Sequence, residues 1–152
     1  MQYEAPGFGI GEVWLDGERV VHSELPRPRR RSPSHFRVSD HGLTVVRRLE
    51  RFFTGEDVAF DDVALELPDG FLGSCASALR AVPRGEVVTY AELAALAGRP
   101  RAARAAGTFC ARCNLSPFVP THRVVSASGL GPYGDLGPGY KRRLLALEGV
   151  SL

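Results

Sequence analysis

The chain has 152 residues and a net charge of +2, with 44% hydrophobic and 24% charged residues. That is the composition of an ordinary globular protein, long enough for one domain or two small units with a genuine core. No apolar run approaches the roughly 18 residues that a membrane span needs. The opening Met-Gln-Tyr-Glu-Ala-Pro also lacks the basic and apolar regions of a secretion signal, so a cytoplasmic, nucleoid-associated protein without a membrane partner is expected.

Phe8–Leu15 and Glu18–Leu25 flank Asp16-Gly17, a strong two-residue hairpin signal, and predict two antiparallel strands. Pro26–Ser34 is a proline-broken basic stretch containing Arg27–Arg31; it is expected as an exposed loop, either simply solvated or touching phosphates. Asp40 is a candidate cap for a helix carrying Leu43, Val46, Leu49 and Phe53 on one face and ending at Gly55. Val58–Leu67 reads as a further strand, with Pro68-Asp-Gly70 as a boundary. Beyond it, Phe71, Leu72, Cys75, Leu79 and Val82 space as a buried helix face stopped by Pro83-Arg-Gly85.

Thr89-Tyr-Ala-Glu92 is a capping box that opens a helix over Tyr90–Ala97, and Gly98 stops it. Pro100 suits the first turn of the next helix, so the pair is a helix-turn-helix candidate. In the second helix Ala103, Ala106, Gly107 and Cys110 form a face of small residues surrounded by Arg101, Arg104 and Arg112. Such a face fits a groove of DNA or close packing on a neighbouring helix. An apolar strand is expected to follow, ending in Pro120-Thr-His-Arg123. Ser128–Gly139 is a glycine-rich loop without the Walker lysine spacing, and a pocket lining suits it better than a phosphate cradle. Tyr140–Leu147 closes the chain as a helix ended by Gly149.

Every basic residue except Lys141 is arginine, whose planar fork suits phosphates and base edges. The three cysteines, Cys75, Cys110 and Cys113, cannot all be paired. Cys110-x-x-Cys113 has neither a second pair nor a histidine motif beside it, so no metal site and no cofactor are expected.

Gly85–Gly98, Ala102-Ala-Arg-Ala-Ala-Gly107, Pro120-Thr-His-Arg-Val-Val125 and Lys141–Gly149 agree in order and spacing with one family. Together they resemble the DNA-binding domain of the O6-alkylguanine-DNA alkyltransferases over roughly residues 70 to 150. The resemblance implies a mixed α/β (α+β) fold: a small hairpin, helix and strand unit over residues 1–68, then a mainly helical, winged-helix-like helix-turn-helix domain over residues 69–152.

In that family the motif reads Pro-Cys-His-Arg, and its cysteine accepts the alkyl group; here the position holds Thr121. The resemblance makes His122 and Glu148 the residues that would activate the acceptor. It implies DNA contacts at Thr89, Tyr90, Arg101, Ala103, Arg104 and Arg123, with Tyr90 helping to rotate a nucleotide out and Arg104 filling its place. A lesion pocket at Cys110, Val124, Tyr133 and Gly134 is implied too. His122 and Arg123 also have a purely structural alternative, holding strand and turn by hydrogen bonds. The asparagine that the family places before the motif strand is displaced by one, to Asn114, and Asp135 stands where a glycine is common.

Three functions follow from this pattern. The first is a monomeric, non-enzymatic sensor similar to the alkyltransferase-like proteins. It would bind double-stranded DNA through the minor groove, flip O6-alkylguanine and engage nucleotide excision repair proteins. The second is an active transferase using Cys110 or Cys113, and the third a helix-turn-helix module without lesion specificity. The joint presence of Tyr90, Arg104, His122 and Tyr133 favours the first.

Overall fold

In a computed structural model the described residues are 1–32 and 39–152. They divide into two compact units, Met1–Glu66 with Asn114–Phe118, and Leu67–Cys113 with Val119–Leu152.

The first unit is built on a three-stranded antiparallel sheet of β1 (Gln2–Ala5), β2 (Gly9–Asp16) and β3 (Arg19–Arg27), in that order. The β2–β3 hairpin turns at Asp16-Gly17 as expected, with Gly17 at φ +61°. β1 pairs with β2 from Gln2↔Glu12 to Ala5↔Gly9 and was not foreseen. Gly11 is what lets that pair form. A Cβ there would lie 2.3 Å from the Tyr3 ring, which is 1% exposed and crosses this position.

Helix α1 (Asp40–Phe53) packs Val45, Val46, Leu49, Phe52 and Phe53 inward, and Phe53 meets the rings of Tyr3 at 6.0 Å and Phe8 at 5.2 Å. Its cap is Ser39, whose Oγ accepts from the amide of Gly42 at 3.0 Å, so Asp40 is the first helical residue and not the cap. Leu43 lies at the edge of the buried face, 38% exposed, where Val45 and Phe52 take its place.

Val58–Leu67 does not form the expected strand. Residues 60–63 turn back on themselves, Val63 N–H donating to Phe60 O at 3.0 Å, and bury Phe60 and Val63 at a spacing of three instead of two. Arg48 clamps Asp62 on the outside with bonds of 2.6 and 2.9 Å. Only a single parallel bridge, Val20↔Leu65, ties this segment to β3.

The basic stretch starts later than expected, because Pro26 and Arg27 end β3. A proline is tolerated there at a sheet edge. Arg29 bonds Glu24 and approaches Glu12, and Arg31 bonds Glu4. The rest of the expected loop, from Pro33 on, lies outside the described residues.

Asn114–Phe118 belongs to the same unit and is not the expected apolar strand. Its carbonyls serve one serine: Ser23 N–H donates to Asn114 O and Ser23 Oγ to Ser116 O, each at 2.8 Å. Ser116–Pro117 is cis, and Phe118 meets Phe60 edge-on at 5.0 Å.

In the second unit α2 (Gly70–Arg80) buries Cys75, Ala76 and Leu79, while Leu72 is 38% exposed and Phe71 lies under the Arg99 guanidinium. β4 (Val88–Thr89) pairs in parallel with β5 (Val124–Val125) and leads directly into α3 (Tyr90–Leu96). Gly98, at φ +93°, makes the turn toward α4 (Ala103–Arg112). Pro100 sits in that turn and not in the helix. Ala102 N–H bonds Arg99 O at 2.9 Å, which puts the proline at the second turn position, where its fixed φ fits. α5 (Gly137–Leu147) begins three residues earlier than expected, with Pro138 in its first turn.

Candidate functional site

All the side chains that follow belong to the second unit. The capping box at Thr89 is complete: Glu92 N–H donates to Thr89 Oγ1 at 3.1 Å, and Glu92 Oε1 accepts from Thr89 N–H at 3.4 Å. It fixes the start of α3 and with it Tyr90, whose ring passes over α4 at Gly107. A Cβ on Gly107 would stand 3.8 Å from Tyr90 Cδ1. The small-residue face of α4 therefore has two jobs. Ala106 turns into the core beside Phe109, whereas Ala103, Gly107 and Cys110 are half-buried. Arg101, Arg104 and Arg112 are exposed.

Pro120 leads into a single 3₁₀ turn, Thr121–Arg123, closed by Arg123 N–H to Pro120 O at 3.0 Å. The turn buries Thr121 to 3% exposure and brings its Oγ1 to 2.9 Å from the Tyr133 hydroxyl on the glycine-rich loop.

His122 and Arg123 converge on Glu148, which caps the C-terminus of α5. His122 Nε2 lies 2.8 Å from Glu148 Oε1, Arg123 Nε donates to the same oxygen at 3.0 Å, and Arg123 Nη2 donates to Oε2. Arg123 Nη1 reaches back to Val82 O at 2.7 Å. Burial alone would raise the Glu148 pKa, but the bonds from His122 and Arg123 outweigh it and hold it at about 2. Burial pushes His122 below its ordinary value, against the pull of Glu148. The ion pair is therefore Arg123–Glu148. His122 is a neutral imidazole donating from Nε2, which leaves Nδ1 as the acceptor nitrogen.

Behind Tyr133 lies a group that the sequence reading passed over. Lys141 is 1% exposed; its ammonium donates to Pro132 O at 3.3 Å and stands 5.8 and 5.9 Å from the ring centres of Tyr90 and Tyr133. The signal was present: Lys141, Leu144, Leu145 and Glu148 recur at helical spacing, so the lysine shares the buried face of α5. Burial lowers its pKa to about 8. Gly131 closes the cluster, since a Cβ there would meet Tyr90 OH at 3.4 Å and Lys141 Nζ at 3.5 Å.

Cys110 is electrostatically coupled to Lys141 and Tyr90, but burial, with Cys113 nearby, pushes its thiol up to about 12.

Of the residues expected to act together, the structure joins Thr121 with Tyr133, and His122 and Arg123 with Glu148. It sets Tyr90 and Cys110 about Lys141. Val124 is fully buried within β5, Gly134 is exposed on the loop at φ +53°, and Arg101 and Arg104 stand apart on the surface.

The second unit thus combines the paired helices α3 and α4, with Arg101, Arg104 and Arg112 exposed, and a Thr-His-Arg turn bonded to Glu148. Residues 71–150 match the model of the 6-O-methylguanine DNA methyltransferase DNA-binding domain. A methylated-DNA–protein-cysteine methyltransferase of Methanopyrus kandleri is 41% identical over 108 residues, covering 70% of this chain and 80% of the relative. The constitutive enzyme of Bacillus subtilis is 35% identical over 145 residues, covering 92% and 79%. The solved structure of Mycobacterium tuberculosis OGT in complex with DNA superposes with a TM-score of 0.80 at 32% identity, over 97% of this chain and 91% of that one. The chain belongs to the methylated-DNA–protein-cysteine methyltransferase family, and its mixed α/β fold is that family's fold.

Proposed function

We propose that this protein binds double-stranded DNA as a monomer in the cytoplasm, rotates an O6-alkylguanine out of the helix and holds it without accepting its alkyl group. The observation that carries this reading is Thr121. By resemblance it stands at the acceptor position of the family motif, and beside it His122 and Arg123 both bond Glu148. A thiol with a pKa of about 8.5 becomes a nucleophile near neutral pH, whereas an alcohol stays protonated and its oxygen attacks alkyl carbon poorly. The Thr121 hydroxyl is moreover engaged by Tyr133.

Tyr90 at the start of α3 and exposed Arg104 on α4 are suited to extrude a nucleotide and fill its place, a rearrangement costing a few kcal/mol that stacking and pocket contacts offset. A protein that holds a lesion without repairing it needs a successor, and the nucleotide excision repair machinery is the proposed partner. The competing reading, transfer to Cys110, is disfavoured by the raised pKa of that thiol.

The test is incubation with a duplex carrying radiolabelled O6-methylguanine. Wild-type protein should take up no covalent label, and Thr121→Cys should acquire it, because His122 and Glu148, to which the resemblance assigns activation, are bonded to each other. Label on the wild type, mapped by peptide to Cys110 or Cys113, would overturn the sensor reading.

A further inference from the structure

Four of the five residues 27–31 are arginines, and the site around Thr121 uses none of them. They follow β3 directly and lie back across its sheet. The pairs Gln2↔Glu12 and Glu12↔Glu24 line three side chains across the face turned away from buried Val13, and Glu4, two residues on from Gln2, stands on the same side. Residues 29–32 run along that row. Arg29 bonds Glu24 at 3.2 Å and reaches Glu12 at 3.5 Å, while its Nε donates to Ile10 O at 3.2 Å. Arg31 meets Glu4 at 3.4 Å, and Ser32 N–H donates to Gln2 Oε1 at 2.9 Å. The strap thus crosses from β3 over β2 to β1.

These contacts are loose. None is a two-pronged bond to one carboxylate, and the Arg31 and Glu4 side chains are 63% and 62% exposed. Exposed pairs of this kind stabilise little and weaken further in salt. The Arg48–Asp62 clamp in the same unit is the contrast, with both carboxylate oxygens bonded, at 2.6 and 2.9 Å. Arg30 is exposed as well. A DNA duplex offers the same guanidinium groups two-pronged bonds to phosphate, and it releases condensed counterions as its charges are neutralised. Phosphate is therefore a stronger partner for this strap than the glutamates that hold it.

We infer that residues 27–31 are a second DNA-binding element, an arginine strap that the glutamate row stores on the sheet and gives up to duplex phosphates. The inference rests on the DNA-binding part of the proposed function and adds a contact that carries no sequence or lesion information. Glu4, Glu12 and Glu24 act as competitors of the duplex. They hold down the affinity for undamaged DNA and leave discrimination of a lesion to the second unit.

The experiment measures the affinity of the full chain for an undamaged duplex and for one carrying O6-methylguanine, between about 50 and 200 mM salt. The combined variant Arg29→Ala, Arg30→Ala, Arg31→Ala should reduce the slope of log affinity against log salt by about 2 to 3, since each lost phosphate contact removes roughly 0.9. The matching variant Arg29→Lys, Arg30→Lys, Arg31→Lys should keep the slope, because an ammonium also neutralises a phosphate. The combined variant Glu4→Gln, Glu12→Gln, Glu24→Gln should bind undamaged duplex about fivefold tighter at low salt. That gain should vanish when the three arginines are alanine too, which separates competition for the strap from a general effect of net charge. The ratio of lesion to undamaged affinity should be the same in every variant. An unchanged slope in the alanine variant would overturn the inference, as would an equal loss of slope in the lysine variant. A glutamine variant that gains nothing, or gains as much without the arginines, would overturn it as well. Wild-type protein that binds both duplexes equally would overturn the lesion reading alone, with the salt slopes still deciding the role of the strap.

Discussion

Glu148 is the residue on which the Thr-His-Arg turn depends, and its removal has a predictable cost. Its carboxylate is 1% exposed and takes bonds from both His122 and Arg123. Glu148→Gln should lower stability by about 3 kcal/mol in urea denaturation, since it leaves the partly buried Arg123 without its counter-ion. The pH dependence has a definite sign. Both Glu148 and His122 have folded pKa values below their ordinary ones, 4.5 and 6.5, so the unfolded chain takes up protons first as pH falls. The thermal midpoint should therefore decline below about pH 6.5, as His122 resists protonation. It should decline again between about 4.5 and 2, where Glu148 loses its charge. Glu148→Gln should make the second decline shallower, leaving the part due to Asp62, whose bond from Arg48 also holds it at about 2; an unchanged decline would show that other carboxylates set acid stability.

Arg104 is testable at the same scale, because it is exposed on α4. Arg104→Ala should weaken binding to O6-methylguanine duplex more than to undamaged duplex in a fluorescence titration. Equal losses with a reduced salt slope would make it a phosphate contact only. The arginines and the motif turn were legible as types in a pattern. Lys141 was not singled out, since a charged residue on an otherwise apolar face is usually discounted.

At the level of elements, local signals were legible where the chain itself supplies them. The Asp16-Gly17 hairpin and the Thr89–Glu92 box need only neighbouring residues, and both are present. Thr89→Ala should cost about 1 kcal/mol of stability in urea denaturation, because the amides at the start of α3 lose their acceptor. An unchanged midpoint would mean that β4 alone holds the start of the helix.

The misjudged elements share one cause, that distant parts of the fold decide them. Val58–Leu67 has strand-forming residues but is bent by the burial of Phe60 and Val63 and by the Arg48–Asp62 clamp. β1 depends on Gly11 making room for the Tyr3 ring eight positions away in sequence. The apolar run before Pro120 reads as a strand, yet Asn114 O and Ser116 O at its start accept from Ser23 in another part of the chain, and Val119 O and Pro120 O at its end accept from the Thr-His-Arg turn.

At the scale of the whole molecule, the family could be read from spaced motifs. The membership of Asn114–Phe118 in the first unit could not, because nothing in those five residues names Ser23 or Phe60 as partners. Those contacts predict that residues 1–66 and 67–152, produced as separate chains, will associate on mixing. Ser23→Val should weaken that association, measured by co-purification, because it removes the hydroxyl that donates to Ser116 O. Fragments that never associate would show that these contacts add little beyond continuity of the chain.

The same return of the chain constrains inheritance. A gene exchange at codon 66 would give the recombinant a C-terminal half still carrying five residues shaped for a sheet it no longer has, with Leu115 and Phe118 stripped of their cover. Such a recombinant would face aggregation before it faced any test of DNA binding. Selection should therefore transmit the two halves as one heritable block, even if only the second ever touches a guanine.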